Sequence, residues 1–252
     1  MKTAIITGAS AGLGLEFVRQ LEEFYPQIEY VWLISRGEHK LQEAAKLLKN
    51  AKGRVVPLDL CSESDLGSFK ELLIAEKPDI RLLVNNAGCG ALGNIGETDY
   101  ELQNRMVDLN VRALTAVTCL CVPYISDGGR IINMSSIASF CPNPRMTVYS
   151  ASKSYVSAFS RGLGEELKPR NIKVTAVCSG PLDTEFLDTA GIRGQSKTFD
   201  ILPFCKPDKV AAGAYKASLS GKNVYTPRAF FKFYRVVAKI LPQRLMVKFT
   251  KT

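Results

Sequence analysis

The feature that most constrains this chain is an alternation of short, β-rich apolar runs with helix-like segments. The runs lie at residues 3–7, 29–35, 54–58, 82–85, 130–134, 172–178 and 223–225. Several, such as Ile131-Ile132 and the stretch 174–177, are continuously apolar rather than alternating. Strands read that way when helices cover both faces of a parallel sheet. The segments between carry helix punctuation: 38–50 precedes Gly53, 62–76 precedes Pro78, and 147–168 precedes Pro169. The expected class is therefore α/β, a doubly wound, mostly parallel seven-stranded sheet with helices on both faces.

With 252 residues and 46% apolar content, the chain can bury one large core, and no linker divides it. Residues 1–227 are expected to form that one domain, followed by an extension over 228–252. Within the domain, 183–204 resists assignment; it carries Gly191 and Gly194 among scattered apolar residues and is expected to be a substrate loop or lid. No run approaches the ~18 uninterrupted apolar residues of a membrane span. The first strand-like run begins at Thr3, which leaves no room for a leader, so the expected location is the cytoplasm.

Seven cysteines with no C-x-x-C pair and a single histidine fit neither a disulfide framework nor a zinc site. They are expected to be reduced core fillers, with Cys119 and Cys121 pointing in different directions on a helix. The lone His39 reads as a solvated helix-start residue. The net charge of +9 is lopsided: residues 209–252 hold ten Lys or Arg and no acid, leaving 23 basic against 24 acidic residues before them. That distribution argues against nucleic acid and singles out the tail.

Thr7-Gly8-Ala9-Ser10-Ala11-Gly12-Leu13-Gly14 follows the first run and opens a helix whose apolar positions include Leu15, Phe17, Val18 and Leu21. Gly8 permits a tight turn, Gly12 lets a pyrophosphate approach the backbone, and Gly14 allows close helix–strand packing. The helix start offers free N–H groups and positive potential. Further along stand Asp59-Leu60, Asn85-Asn86-Ala87-Gly88, Leu109-Asn110-Val111 and Asn133-Met134-Ser135-Ser136. Tyr149 and Lys153 follow, four apart on one helix face, with Ser136 thirteen residues before Tyr149. An ammonium and a helix start both stabilise phenolate, so Tyr149 is expected to be an acid–base group poised nearer 7 than its free value of ~10. Strand alternation sends Ser136 toward the ligand crevice and Ser135 to the opposite face.

The spacing G-x-x-x-G-x-G, with these motifs in this order over about residues 3–190, resembles the compact, single-domain short-chain dehydrogenases/reductases. The resemblance implies a Rossmann-type fold and hydride transfer between a nicotinamide and a carbonyl or hydroxyl carbon. It implies a tetrad of Asn110, Ser136, Tyr149 and Lys153, with Lys153 also on the nicotinamide ribose and Asn110 holding a water. It places Gly8, Ser10, Gly12, Leu13 and Gly14 on the cofactor phosphates, Asp59 and Leu60 on the adenine, and Asn86, Ala87 and Gly88 beneath the dinucleotide. Gly180 and Thr184 take the carboxamide, although Ser179 stands where the family usually has Pro, which loosens that loop. No metal is implied.

An NAD site places a carboxylate after the second strand, where a 2′-phosphate would be repelled. Here Ser35-Arg36 occupies that place, and a guanidinium can pair with phosphate, so NADP(H) is expected over NAD(H). The substrate is expected to be bulky and apolar, met by Met146, Phe186, Ser136 and Tyr149. The resemblance is nearest to hydroxysteroid and 3-oxoacyl reductases, and a homodimer or homotetramer is expected. The tail interleaves apolar and basic residues at near-helical spacing. It is read as a helix docked on its own domain, a cover for the substrate mouth or a subunit, or a peripheral membrane contact. The competing readings are an NADP-binding regulator without activity and a lyase or epimerase on the same scaffold. The joint presence of Ser136, Tyr149 and Lys153 argues against the regulator, and the glycine spacing and chain length argue against the epimerase.

Overall fold

All seven apolar runs become strands of one sheet: β1 (Lys2–Thr7), β2 (Tyr30–Ser35), β3 (Lys52–Pro57), β4 (Asp79–Asn85), β5 (Ile125–Met134), β6 (Lys173–Val177) and β7 (Val224–Tyr225). Their spatial order is β3-β2-β1-β4-β5-β6-β7 and every pairing is parallel. The computed structural model describes residues 1–250 and 252, with the side chains of Lys197, Asp200 and Phe249 outside that description. Around the sheet run α1 (Gly12–Phe24), α2 (Glu38–Ala45), α3 (Glu63–Glu76), α4 (Tyr100–Val107), α5 (Leu114–Cys121) and α6 (Thr147–Glu166). They are followed by α7 (Glu185–Thr189), α8 (Lys197–Ile201), α9 (Pro207–Leu219), α10 (Ala229–Ile240) and α11 (Gln243–Phe249).

The period of two along each strand loads both faces. Ala4, Ile6, Leu33, Val84 and Ile132 pack with Phe17 and Leu21 of α1 and Tyr215 of α9. Ile5, Ile34, Leu83, Ile131 and Val174 pack with Phe69 of α3, Val117 of α5 and Leu163 of α6. Tyr215 is fully buried, sets its ring edge-on to Phe17 at 5.2 Å, and donates its hydroxyl to the Phe17 carbonyl at 2.6 Å. That bond lets a phenol sit in the core without an unpaired polar atom. The strand order reverses between β1 and β4, so the crevice above their carboxyl ends is where such a sheet receives ligands.

Two expectations are corrected. The second helix stops at Ala45 rather than 50, because the Glu22 carboxylate of α1 accepts from the amides of Lys49, Asn50 and Ala51 and turns the chain toward β3. The expectation of no uninterrupted apolar span is not overturned by the helical run Tyr100–Tyr124, which passes for membrane-crossing by length and mean hydropathy only and carries Glu101, Arg105, Asp108 and Arg112. Folded, it is a core element whose Met106, Leu114, Val117 and Cys121 are buried, broken by a π-helical turn at Asp108–Ala113. The lid region is not irregular throughout: α7 and α8 lie between a bridge joining Leu182 to Cys205, and Leu187, Ala190 and Ile192 form a small core with Met146.

The tail is helical as expected, two helices parted at Pro242. Phe231 of α10 is fully buried in the same cluster as Ala4 and Ile6. The last residues fasten to the 140–146 loop, where Thr250 Oγ1 donates to the Pro142 carbonyl at 2.8 Å and Arg145 donates to the Thr252 carbonyl at 2.8 Å. Lys251 lies outside the described residues.

Candidate active site

The glycine loop is held from beneath by β4. The Thr7 hydroxyl accepts from the amides of Asn86 and Ala87 at 3.0 Å each, and Asn86 Nδ2 donates to the carbonyls of Thr7 and Gly8 at 3.1 and 3.2 Å. Gly8 and Gly12 take positive φ values of 64° and 52°, a conformation that favours glycine. Gly14 does not line the cavity, although it is in the motif; a Cβ there would stand 1.9 Å from the Gly8 carbonyl oxygen, so its role is the close turn of helix on strand. Gly8, Ser10, Gly12 and Leu13 do line it.

At one end of the cavity stand Ser35, Arg36, Asp59 and Leu60, as expected, together with Lys40 and Arg105. Lys40 lies one helical turn beyond Arg36, a spacing from which the sequence could have supplied it. Both cations are exposed. Arg105 sits 3.4 Å from the Asp59 carboxylate. Burial raises the Asp59 carboxyl, but the Cys61 amide and the Arg105 and Arg36 guanidiniums outweigh it and hold the group below the ordinary aspartate value. Across the cleft, Thr184 faces the glycine loop 3.5 Å from where a Gly12 Cβ would be.

The residues fit a nicotinamide dinucleotide on three observations. Gly12, at a positive φ, leaves its backbone bare at the helix start on the cavity wall, a Cβ on Gly88 would stand 3.0 Å from Asn110 Oδ1 and 3.2 Å from Lys153 Nζ, and the buried Ser35 Oγ has no protein partner.

The four expected reacting groups converge at the far side of Gly88. Ser136 leaves the end of β5, accepts from the Ala138 amide at 3.1 Å, and lines the same stretch of cavity as the Tyr149 phenol, whose pKa it lowers. Ser135 turns the other way, as alternation requires, and donates to the Lys153 carbonyl at 2.8 Å. Lys153 Nζ donates to the Met134 carbonyl at 3.0 Å and lies 5.7 Å from the Tyr149 ring centre. Asn110 stands behind the cavity wall on the π-helical turn, accepting from the Cys89 amide at 3.0 Å and donating to the Cys89 carbonyl at 2.9 Å and Ser152 Oγ at 3.1 Å. A π turn rotates one residue out of the regular helix register, which is how Asn110 comes to face this loop.

The expected tuning of Tyr149 is not what the site imposes. Burial pushes its phenol up to about 12, against a lowering by Ser136. Burial also draws Lys153 down to about 8. Removal from water penalises both charged forms, and the ammonium that was expected to stabilise phenolate spends a hydrogen bond on Met134. The protein alone therefore holds Tyr149 as a proton-bearing phenol at neutral pH.

Beyond Tyr149 the cavity, about 1170 Å³ in all, opens into an apolar chamber. Met146 and Phe186 line it as expected, with Phe186 at 5.9 Å from the Tyr149 ring and hard against Gly90. Another part of the wall is the tail, in line with the reading of it as a cover for the substrate mouth, through Phe230, Phe231, Tyr234, Val237, Leu241 and Met246, which the sequence did not single out. Gly180 lines the cavity, but a Cβ on it would stand 2.2 Å from the Phe231 ring, so this glycine also admits α10. The loop expected to be loosened by Ser179 is held by other means. The Ser179 carbonyl accepts from the Ile137 amide at 2.9 Å, and Cys205 donates its amide to the Pro181 carbonyl at 2.7 Å.

Comparison with known proteins agrees with this geometry. Residues 2–192 match the family model described as short chain dehydrogenase. An uncharacterised oxidoreductase from Staphylococcus epidermidis is 31% identical over 185 residues, covering 73% of this chain and 79% of that protein. A short-chain dehydrogenase from Sphingobium yanoikuyae, solved in complex with NADPH, superposes with a TM-score of 0.80 at 26% identity, covering 96% of this chain and 97% of its own. A 3-ketoacyl-(acyl-carrier-protein) reductase from Brucella melitensis, complexed with NADH, gives a TM-score of 0.77 at 26% identity over 90% and 96% of the two chains.

Proposed function

The chain belongs to the short-chain dehydrogenase/reductase family, and on that premise we propose that it uses NADPH to reduce the carbonyl of a bulky, apolar substrate, of the size of a steroid ketone or a long 3-oxoacyl group. As an oxidoreductase of this family it acts between CH–OH and C=O with a nicotinamide cofactor. The observation that carries the finer reading is the continuity of one cavity from the glycine loop past Ser136, Tyr149 and Lys153 to an apolar chamber. The family's habit of self-association supports a homodimer or homotetramer.

When bound, the reduced nicotinamide supplies the hydride. The carbonyl oxygen is received between Ser136 Oγ and the Tyr149 phenol, and Tyr149 gives its proton to that oxygen as charge develops there. A phenol pushed up by burial keeps its proton at neutral pH, which suits donation and hence reduction. Lys153 would hold the ribose of a bound cofactor beside Gly88, and Asn110 fixes the Cys89 backbone behind it. Phe186, Met146 and the inner face of α10 exclude water.

Two expected results test parts of this reading. Lys153 is charged below about pH 8 and neutral above it, so ketone reduction should be flat below pH 8 and fall as pH rises through it. A pH–rate profile that rises there would remove the ammonium from the account. Arg36→Leu should weaken NADPH binding roughly 10- to 100-fold, the value of a charge-assisted hydrogen bond, and leave NADH within about twofold. Titration of each cofactor by fluorescence reads this; equal losses would contradict the 2′-phosphate contact. The reading as a whole is tested with a panel of steroid ketones, 3-oxoacyl esters and small ketones, followed by loss of NADPH absorbance. Consumption with none of them would return the chain to the NADP-binding regulator class.

A further inference from the structure

Helix α10 has two apolar faces, and only one is covered. Phe231, Tyr234, Val237 and Ala238 turn inward, Phe231 and Ala238 fully enough to be buried. On the other side Phe233, Val236 and Ile240, spaced three and four apart, stand 68%, 52% and 74% exposed. Phe230 and Leu241 belong to both: each lines the cavity and is about half exposed, so the chamber reaches the surface along this helix. Leu202 also lines the cavity, and its neighbour Ile201 is 83% exposed.

A basic stripe runs beside the uncovered face. Arg228, Lys232, Arg235 and Lys239 recur at helical spacing, with Arg244 and Lys248 following on α11. Among the described residues none of the six forms an ion pair. No acid occurs after Asp208, so the tail's own helices carry nothing to neutralise the stripe. A second copy of the chain is a poor occupant. A two-fold contact would bring the same basic stripe of both copies into one interface, with no acid on either helix to pair it. A bilayer with anionic headgroups satisfies both features at once, taking the phenylalanine, valine and isoleucine side chains below the headgroups and pairing the cations with phosphates.

We propose that α10 and α11 seat the cavity mouth on an anionic membrane surface, so that the substrate enters the chamber from the lipid phase. The docking follows from the uncovered face itself. The identity of what enters rests on the reductase reading above, and the two fail separately.

The test uses the full chain and two double variants at positions that do not line the cavity, Phe233→Glu with Ile240→Glu and Lys232→Gln with Lys239→Gln. Co-sedimentation is measured with vesicles of phosphatidylcholine alone and of phosphatidylcholine mixed equally with phosphatidylglycerol, across a salt series. The wild type should bind the anionic vesicles, more weakly as salt rises, and each double variant should bind roughly tenfold less or worse. Turnover of a small water-soluble ketone should be unchanged in both variants, which also shows that they fold, while turnover of a ketone dissolved in the vesicles should fall with binding. Absence of wild-type binding, or equal binding to both vesicle types, overturns the proposal. So does a change of oligomer size in the variants without any vesicle binding, which would make the face a subunit contact. Vesicle binding with no reduction of any ketone leaves the docking face standing and sinks the reductase reading.

Discussion

Replacing Tyr149 by Phe should lower kcat for ketone reduction roughly 10²- to 10⁴-fold while NADPH binds within about twofold of wild type. The ring stays in place against Phe186 and Gly90, so packing is kept and only the proton donor is lost. No other group can substitute. The Ser136 hydroxyl accepts from the Ala138 amide, and the Lys153 ammonium is turned to the Met134 carbonyl. Single-turnover kinetics with saturating cofactor reads the effect. A variant that keeps a tenth or more of wild-type kcat would show that the proton comes from elsewhere.

Gly14→Ala is expected to have the largest effect on stability, because its Cβ would stand 1.9 Å from the Gly8 carbonyl oxygen and 2.7 Å from Asn86 Nδ2. The first is backbone, fixed by β1 and by the bonds from Asn86, so it cannot move aside without taking the phosphate loop with it. A cost at or above about 3 kcal/mol follows, the upper end of overpacking, with a fall in Tm on the order of 10 °C for a chain of this size. Gly67→Ala is the control: it lies within α3 with nothing within 4 Å of a Cβ, and removing a helical glycine there should add about 0.5–1 kcal/mol. Thermal melts of both variants decide the matter. Similar shifts in the two would mean that the close approach at Gly14 is not what it is held to be.

The sheet was legible because its strands are covered on both faces. Continuous apolar runs such as 174–177 leave few other placements, and each of the seven runs forms a strand. The glycine loop, Ser136, Tyr149 and Lys153 were legible for a related reason, since each is bound to a strand end or helix start that the pattern itself locates. Lys40 was within reach of the same reasoning, one turn beyond Arg36.

What could not be read depends on contacts distant in sequence. The end of α2 is set by Glu22, some 27 residues upstream of the amide it binds. The direction in which Tyr149 is shifted depends on how much water the lid and tail exclude, and no spacing records that. The chamber wall formed by α10 could not be told from a free amphipathic helix, since inward and outward faces are both apolar and differ only in what covers them. Gly180 carries the clearest trace of that docking, in the ring of Phe231 against its Cα, yet a single glycine in a loop has too many uses for the sequence to signal it.

On the proposed function, this site passes a hydride from NADPH to a ketone carbon and a proton from Tyr149 to its oxygen. That transfer is tested most directly with NADPH deuterated at the transferable position of the nicotinamide and a steroid or 3-oxoacyl ketone, the product alcohol being examined by mass spectrometry and NMR. One deuterium on the carbinol carbon, retained in ordinary water, is the expected result. An alcohol without deuterium, or no alcohol from any ketone while NADPH remains bound, would contradict the account.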